Sequence, residues 1–393
     1  MRRIYLDYTA TTPMDKRVVQ AMTPFFTDTF GNASSIHSFG REAKAALETA
    51  RESIASLIGA RPSEFFFTSG GTESDNSALT GIAIAHSGSG RKHIVISSIE
   101  HHAVLHAAKN LEQKGFDVTL LPVDGHGFVS PDELRKAVSA RTLLVSIIHA
   151  NNEIGSTQEL KTLASVVHSA GAFFHTDAVQ SFGKIPFSVA ESDIDLASFT
   201  AHKIYGPKGI GALYVRRGIE FEPTFHGGSQ ERNRRPGTES VPLAVGFAKA
   251  AELSVQEMPE ELDRLNSLNR LLRKRIGDEI GGSIFNSPGD RALPNILSVS
   301  IDSSEIEIDG EALIINMDLE GIAVTSGSAC SSGSLQPSHV IKALGRDDRT
   351  TKATVRFSFG RFTSEEDVQF AADSFIRLVN RIGKRKKIIS LSS

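Results

Sequence analysis

Short apolar runs alternate with segments of helical period over the first two-thirds of this 393-residue chain. That alternation narrows the fold more than any other feature. Ala43, Ala46, Leu47, Ala50, Ile54, Leu57 and Ile58 recur along one helix face between Ser38 and Gly59, and the glycine supplies a stop. Phe65-Phe66-Phe67-Thr68 reads as a short buried strand, followed by Ser69-Gly70-Gly71-Thr72 and a second helix from Glu73. Further strands are predicted at 93–97, 118–123, 143–148, 172–176, 196–200 and 211–215. Helices fall between them, one over Leu160–Ser169 and one opened by Ser130-Pro131-Asp132-Glu133, a capping spacing with proline in the first turn. Strands separated by helices need crossovers, so the fold class is α/β, a mostly parallel sheet covered on both faces. From about Leu243 a long charged helix runs to about Ile276. Strands at 296–301 and 355–358, a Ser/Gly-rich loop and a final helix near 365–382 follow. This predicts a smaller α+β domain, with the boundary near Met258 crossed by a helix.

Charge excludes some functions. With 43 basic against 46 acidic residues and no basic block in its body, the chain is a poor nucleic-acid or membrane-surface binder. No apolar run approaches the ~20 residues of a membrane span. Arg2 and Arg3 have no apolar stretch behind them, so Met1 to Asp7 is not a signal peptide. The single cysteine rules out an intramolecular disulfide, and a cytoplasmic location is expected.

Five features could carry chemistry. Lys203 ends an apolar strand and enters Ile204-Tyr205-Gly206-Pro207-Lys208-Gly209. Partial desolvation there would lower its pKa and make the amine a nucleophile, although most lysines are simply exposed. Lys208 is a rival amine farther out in the loop. Asp177 ends another strand-like run, at the sheet edge where open α/β sheets hold ligands, and is equally readable as a helix cap. Ser69-Gly70-Gly71-Thr72 joins a strand to a helix as a phosphate cradle would, outside the Walker and dinucleotide patterns; a plain capped turn is the commoner meaning. His102 and His106 share a helix face, but no third metal ligand accompanies them, and an imidazole of this segment covering a cofactor ring is the competing use. Cys330 lies among serines and glycines with no apolar period, as an exposed nucleophilic thiol would. Lone cysteines are more often buried.

Together these residues resemble the cysteine desulfurases, pyridoxal-phosphate enzymes of the class V aminotransferase superfamily. The similarity runs through Tyr5 to Pro13, Phe30 to Ser35, Thr68 to Asn76, Asn151 to Gly155, His202 to Gly209, Arg234 to Thr238, Ser326 to Cys330 and Arg356 to Ser358. The Gly-Ser-Ala-Cys loop resembles the group that supplies iron–sulfur cluster assembly. The resemblance implies the fold type I architecture of pyridoxal-phosphate transferases: a large domain over 14–258 with a mostly parallel seven-stranded sheet, and a small domain from 1–13 and 259–393 carrying the cysteine loop 325–337. It implies that Lys203 forms the Schiff base with the cofactor and moves the substrate's α-proton. Asp177 would pair with the pyridine nitrogen, Gln180 would bond the ring's phenolic oxygen, and His101 would stack on the ring and serve acid–base work. Gly71, Thr72, Thr200 and His202 match phosphate contacts, and Thr238 would reach the phosphate of a neighbouring subunit in a homodimer. Asn152, counted with the cofactor contacts as well, and Arg356 match groups that hold the substrate carboxylate. Cys330 matches the nucleophile that takes sulfur from L-cysteine, leaving alanine and a persulfide for an iron–sulfur scaffold or another acceptor, and could ligate iron transiently during transfer.

Two departures stand out near the motifs: Ala33 where the family often has proline, and Asn233 where glycine is usual. The C-terminal tail from Gly383 to Ser393 does not match the housekeeping bacterial tail, and reads as a solvated basic end. A selenocysteine lyase or a related β-lyase is the sister reading. A non-enzymatic scaffold paralogue is disfavoured because lysine, aspartate, histidine, arginine and cysteine are all present.

Overall fold

The computed structural model describes residues 3–327 and 336–385. Its centre is a seven-stranded sheet in the order Phe65–Thr68, Gly211–Val215, Leu196–Thr200, Phe173–Asp177, Thr142–Ser146, His93–Ser97, Asp117–Leu121. Only Gly211–Val215 runs against its neighbours. The inner strands are buried at every position but Phe173 because both faces are covered, yet the two-residue period survives in how they pack. Val95, Val145, Ala197, Phe199 and Ala212 join one apolar cluster, whereas Ile94, Ile96, Leu144, Leu196, Leu213 and Val215 join another on the opposite face. Toward the carboxyl ends the side chains turn polar, at Ser97, Ser146, Asp177, Ser198 and Thr200, all buried. A sheet edge of that kind is where an α/β fold places a ligand.

Helix Val241–Glu279 contributes Ala244, Phe247 and Ala251 to the first cluster. Past Pro259 it contributes Leu265, Leu268, Leu272 and Ile276 to a separate one. That cluster also takes Ile4 and Leu6 from the start of the chain, Val299 and Phe357 from an antiparallel three-stranded sheet, and Phe375 from helix Glu365–Ile382. Ile4–Tyr5 pairs in parallel with Ile322–Ala323. The tail departs in part from the solvated end expected: Lys384–Arg385 keeps its side chains exposed while its backbone pairs with Ile306–Glu307. Residues 386–393 lie outside the described residues.

Two buried polar arrangements hold elements around the sheet. Arg51 donates to both carboxylate oxygens of Glu231, at 2.6 and 2.8 Å, and to the Phe65 carbonyl, while the Phe67 N–H donates to the same carboxylate. The pair anchors a turn in which Glu231, Arg232 and Asn233 all have positive φ, at 47°, 58° and 64°. Asparagine at the glycine-favouring position is thereby explained, since it tolerates this region better than most residues. In the second arrangement Ser97 Oγ and the Ile148 N–H donate to Oε1 of buried Glu100, whose carboxyl burial pushes up to about 8.

Arg51→Met should strand the buried Glu231 carboxylate and lower unfolding free energy by about 3–5 kcal/mol; a loss under ~1 kcal/mol in urea denaturation would show that the pair does not anchor the turn. Glu100 gives a second prediction. The unfolded chain releases this proton near 4.5 and the folded chain only near 8, so its contribution to stability falls as pH rises across that window. Glu100→Gln cannot titrate. Its stability relative to the parent should climb steadily from pH ~5 to pH ~8, and a constant difference would refute the raised carboxyl.

Candidate active site

The carboxyl ends of Phe173–Asp177 and Leu196–Thr200 and the start of helix Gly71–Ala85 open on one cavity of about 490 Å³. Ten of the residues singled out in the sequence line it: Gly71, Thr72, His101, Asn152, Asp177, Gln180, Thr200, His202, Lys203 and Arg356. Thr238 does not. It lines a second cavity with Ser69, Gly209 and Arg235. Cys330 lies outside the described residues, while Thr325 and Gly327, near the start of its loop, line the first cavity.

Lys203 ends a single 3-10 turn that follows strand Leu196–Thr200. Its Nζ donates to the carbonyls of Thr9 and Ala10, the latter at 2.7 Å. Burial lowers the amine to about 8, with the Arg356 charge acting in the same direction and Asp7 and Asp177 opposing. Among the charged groups of this cavity it is the one that can become a neutral nucleophile near neutral pH. Lys208, the rival amine, does not line the cavity.

Asp177 is buried at the floor, where one carboxylate oxygen accepts the Val179 N–H at 2.8 Å. The helix-cap reading of Asp177 fails, because turns rather than a helix follow the strand, and the bonded N–H belongs to one of those turns. Behind it sits Asp75, equally buried, with Oδ1 lacking a hydrogen-bond partner among the described residues. Burial raises both carboxyls, and the charge of Asp177 raises Asp75 further. His175 lies 3.8 Å from that Oδ1, its ring nitrogens bonded to Ser146 at 2.8 Å and Ser198 at 3.0 Å. Burial lowers this imidazole to about 3, so it is neutral and relieves none of the negative charge.

His101 caps helix His102–Gln113: its Nδ1 accepts the Ala103 N–H at 3.2 Å. With that lone pair committed, the neutral ring carries its proton on Nε2. Burial and the Lys203 charge lower it to about 4. Stacking and donation suit such a ring better than accepting a second proton. His202 bonds Thr11 at 3.2 Å and is likewise lowered to about 4 by burial. Thr200 donates to the Ile210 carbonyl.

Helix Gly71–Ala85 begins at Gly71, two residues before the predicted start, and no side chain caps it. Its first-turn N–H groups stay available, and they carry the helix's partial positive charge. A Cβ on Gly71 would lie 2.7 Å from Val179, so glycine is needed for this wall. Across the cavity, Arg356 donates to the Asp7 carboxylate at 2.8 Å and the Asn152 carbonyl at 2.9 Å; its buried Nε has no partner among the described residues. His102 stands 5.2 Å from His106 and 4.9 Å from His339, measured between ring centroids. Among the described residues no three histidine, cysteine, aspartate or glutamate side chains are arranged to hold a metal ion.

Several lining residues carried no role in the sequence reading. Asp7, Thr9 and Ala10 fell inside a quoted motif, but only the folded chain shows their carbonyl and carboxylate groups facing Lys203 and Arg356. Asp75 carried no local signal beyond its place after the glycine turn.

The set suits pyridoxal phosphate. A depressed amine can meet an aldehyde, a buried carboxyl can meet a ring nitrogen, and an uncapped helix start can take a phosphate. The comparisons agree. The family model described as aminotransferase class-V matches residues 4–370. The cysteine desulfurase IscS of Dictyoglomus turgidum is 47% identical over 381 residues, spanning 97% of this chain and 95% of the relative. A solved NifS-like protein superposes with a TM-score of 0.90 at 38% identity, covering 97% of this chain and all (100%) of its own. SspA, solved in complex with cysteine, gives a TM-score of 0.79 at 36% identity over 92% of this chain and 100% of that one. Matched at this level almost end to end, the chain belongs to the class-V aminotransferase family, a family dependent on pyridoxal phosphate, and sits among its cysteine desulfurases.

Proposed function

We propose that this protein is a cysteine desulfurase that converts L-cysteine to L-alanine and passes the sulfur, as a persulfide on Cys330, to an iron–sulfur scaffold or another acceptor. The observation that carries the reading is the Lys203 amine, depressed to about 8, sharing one cavity with the buried Asp177 carboxyl. Pyridoxal phosphate, with the Lys203 amine as its attachment point, would supply the electron sink that lets the substrate's α-proton leave. The protein's own groups do the rest. The first-turn N–H groups at Gly71 and Thr72, with Thr200 and His202, would hold the phosphate. Asp177 would keep a proton at the ring nitrogen, Gln180 would bond the ring oxygen, and His101 would cover the ring and donate from Nε2. Arg356, with Asn152 beside it, holds the substrate carboxylate, to which its Nε, without a partner among the described residues, can add a bond. Lys203 Nζ takes the α-proton and later returns one. The Cys330 thiolate attacks the substrate sulfur; the new S–S bond forms as the carbon–sulfur bond breaks, and the carbon is reprotonated to alanine.

The same reading divides the chain into a large domain over 14–258 and a small one from 1–13 and 259–393, in line with the separate apolar clusters. It also makes the protein a homodimer. Thr238 lies away from its own chain's Lys203 cavity, as a residue serving a second copy would. Among the described residues no helix is long and apolar enough to cross a membrane. A cytoplasmic setting, where a lone thiol stays reduced, completes the proposal.

Purified protein should absorb as a bound pyridoxal chromophore and release sulfide and alanine from L-cysteine with a thiol reductant. Lys203→Ala should lose the reducible adduct and turnover together; an adduct recovered at Lys208 would overturn the assignment. Cys330→Ser should still respond spectrally to L-cysteine but gain no sulfur on the Cys330 peptide by mass spectrometry, and full alanine production by that variant would refute the persulfide route. Mixed Lys203→Ala and Thr238→Ala subunits should recover activity, since one site of each heterodimer is then intact. Heterodimers that form without recovery would show each site to be self-contained.

A further inference from the structure

Lys184 does not line the Lys203 cavity, yet its Nζ donates to Oε1 of Gln180, which does, at 2.9 Å. Nε2 of the same amide donates to the Thr9 carbonyl at 3.0 Å, and that carbonyl also accepts from Lys203. The four groups thus form one chain, Lys184 to Gln180 to Thr9 to Lys203. An ammonium can only donate and a carbonyl can only accept, so the two contacts fix the amide one way round. Its oxygen is committed to Lys184, and its nitrogen keeps a second hydrogen for whatever the cavity holds.

We propose that Lys184 is a positioning residue, holding Gln180 with an N–H rather than a carbonyl toward the cofactor site. The proposal rests on the pyridoxal-phosphate reading, in which Gln180 meets the anionic ring oxygen. Without Lys184 the amide could turn over and set its own oxygen against that oxygen, acceptor against acceptor. The charged groups around Lys184 are Lys203 and Arg356 on the cavity side, and Glu261 and Arg361, which line a small cavity with it on the other. Burial and the two cavity-side cations lower Lys184 to about 7. Charged or neutral, it retains N–H groups to donate. No local sequence pattern marks the residue; only its spacing from Gln180, one helical turn on, places it in reach.

The test follows the absorbance of apo-protein refilled with pyridoxal phosphate, for the parent, Lys184→Met, Lys184→Arg, Gln180→Leu and the Lys184→Met/Gln180→Leu double variant. Lys184→Met should weaken cofactor affinity about tenfold, as loss of a buried hydrogen-bond donor does. It should also raise the pH midpoint of the bound chromophore by roughly one unit, because a ring oxygen without its donor holds a shared proton more tightly. Lys184→Arg, again a donor only, should return both toward the parent. In the Gln180→Leu background the lysine substitution should change nothing further, which separates action through Gln180 from a general packing role. Parent-like affinity and midpoint in Lys184→Met, or an undiminished effect in the Gln180→Leu background, would overturn the proposal. Circular dichroism of the apo-proteins reports folding. Should Lys184→Met not fold, Lys184→Leu takes its place, with the same direction of shift required and the same null result fatal. A parent that takes up no pyridoxal phosphate would instead sink the cofactor reading itself.

Discussion

A lysine amine brought into the protein at the end of a parallel strand needs acceptors, and those Lys203 finds belong to residues 9 and 10 of the chain. The rest of the site depends on that contact. The segment offering the carbonyls is itself held from several directions. Thr9 N–H donates to Ser358 Oγ at 3.1 Å, Thr12 N–H donates to the His202 carbonyl, Thr12 Oγ1 accepts from Tyr205 N–H, and Asp7 pairs with Arg356. The beginning, middle and end of the chain therefore meet at one amine. Neither apolar cluster alone would produce the cavity; it exists where the N-terminal strap ties the second cluster to the sheet edge of the first.

The floor behind the amine is made of carboxyl groups. Asp177, Asp75 and Glu100 are buried near one another, and each carboxyl is pushed up chiefly by burial. Neutral His175 offers no countercharge, and one Asp75 oxygen has no hydrogen-bond partner among the described residues. Such an arrangement opposes folding and is found where function needs perturbed groups. A positively charged ring nitrogen placed against Asp177 would relieve it. The fold thus holds unfavourable electrostatics of the sign that the proposed cofactor would remove.

Local pattern carried the framework well. Strands His93–Ser97, Leu196–Thr200 and Gly211–Val215 and helices Leu160–Ser169 and Glu365–Ile382 fall where periodicity placed them. Strand Thr142–Ser146 ends before Ile147 and Ile148, which remain apolar and buried while the chain bends into the site, so hydrophobicity overran the strand. The second helix begins at Gly71 rather than Glu73 because two glycines give no helical signal, although their backbone is what the site uses. Asp7, Asp75 and Lys184 were illegible for a different reason. Each acts through a partner brought close only by the fold, as with Asp7 and Arg356, separated by 349 positions. Lys184 acts over four positions, but its significance comes from Gln180 facing the cavity.

What fixes the spacing between the two ends of the cavity is backbone packing. Strand Gly211–Val215 runs antiparallel between Leu196–Thr200 and Phe65–Thr68, pairing Gly211 with both Thr200 and Thr68. A Cβ on Gly211 would lie 2.5 Å from the Phe199 carbonyl and 2.6 Å from Gly70. Only glycine lets the turn before the uncapped helix settle against the strand that leads to Lys203. The turn itself passes through Gly70 at φ +157°, which an L side chain rarely adopts. The helix start and the amine are thus referenced to one strand end, through hydrogen-bonded sheet rather than through flexible side chains. A ligand carrying a phosphate at one end and a carbonyl carbon at the other meets two fixed points, which is the rigidity that positioning chemistry requires.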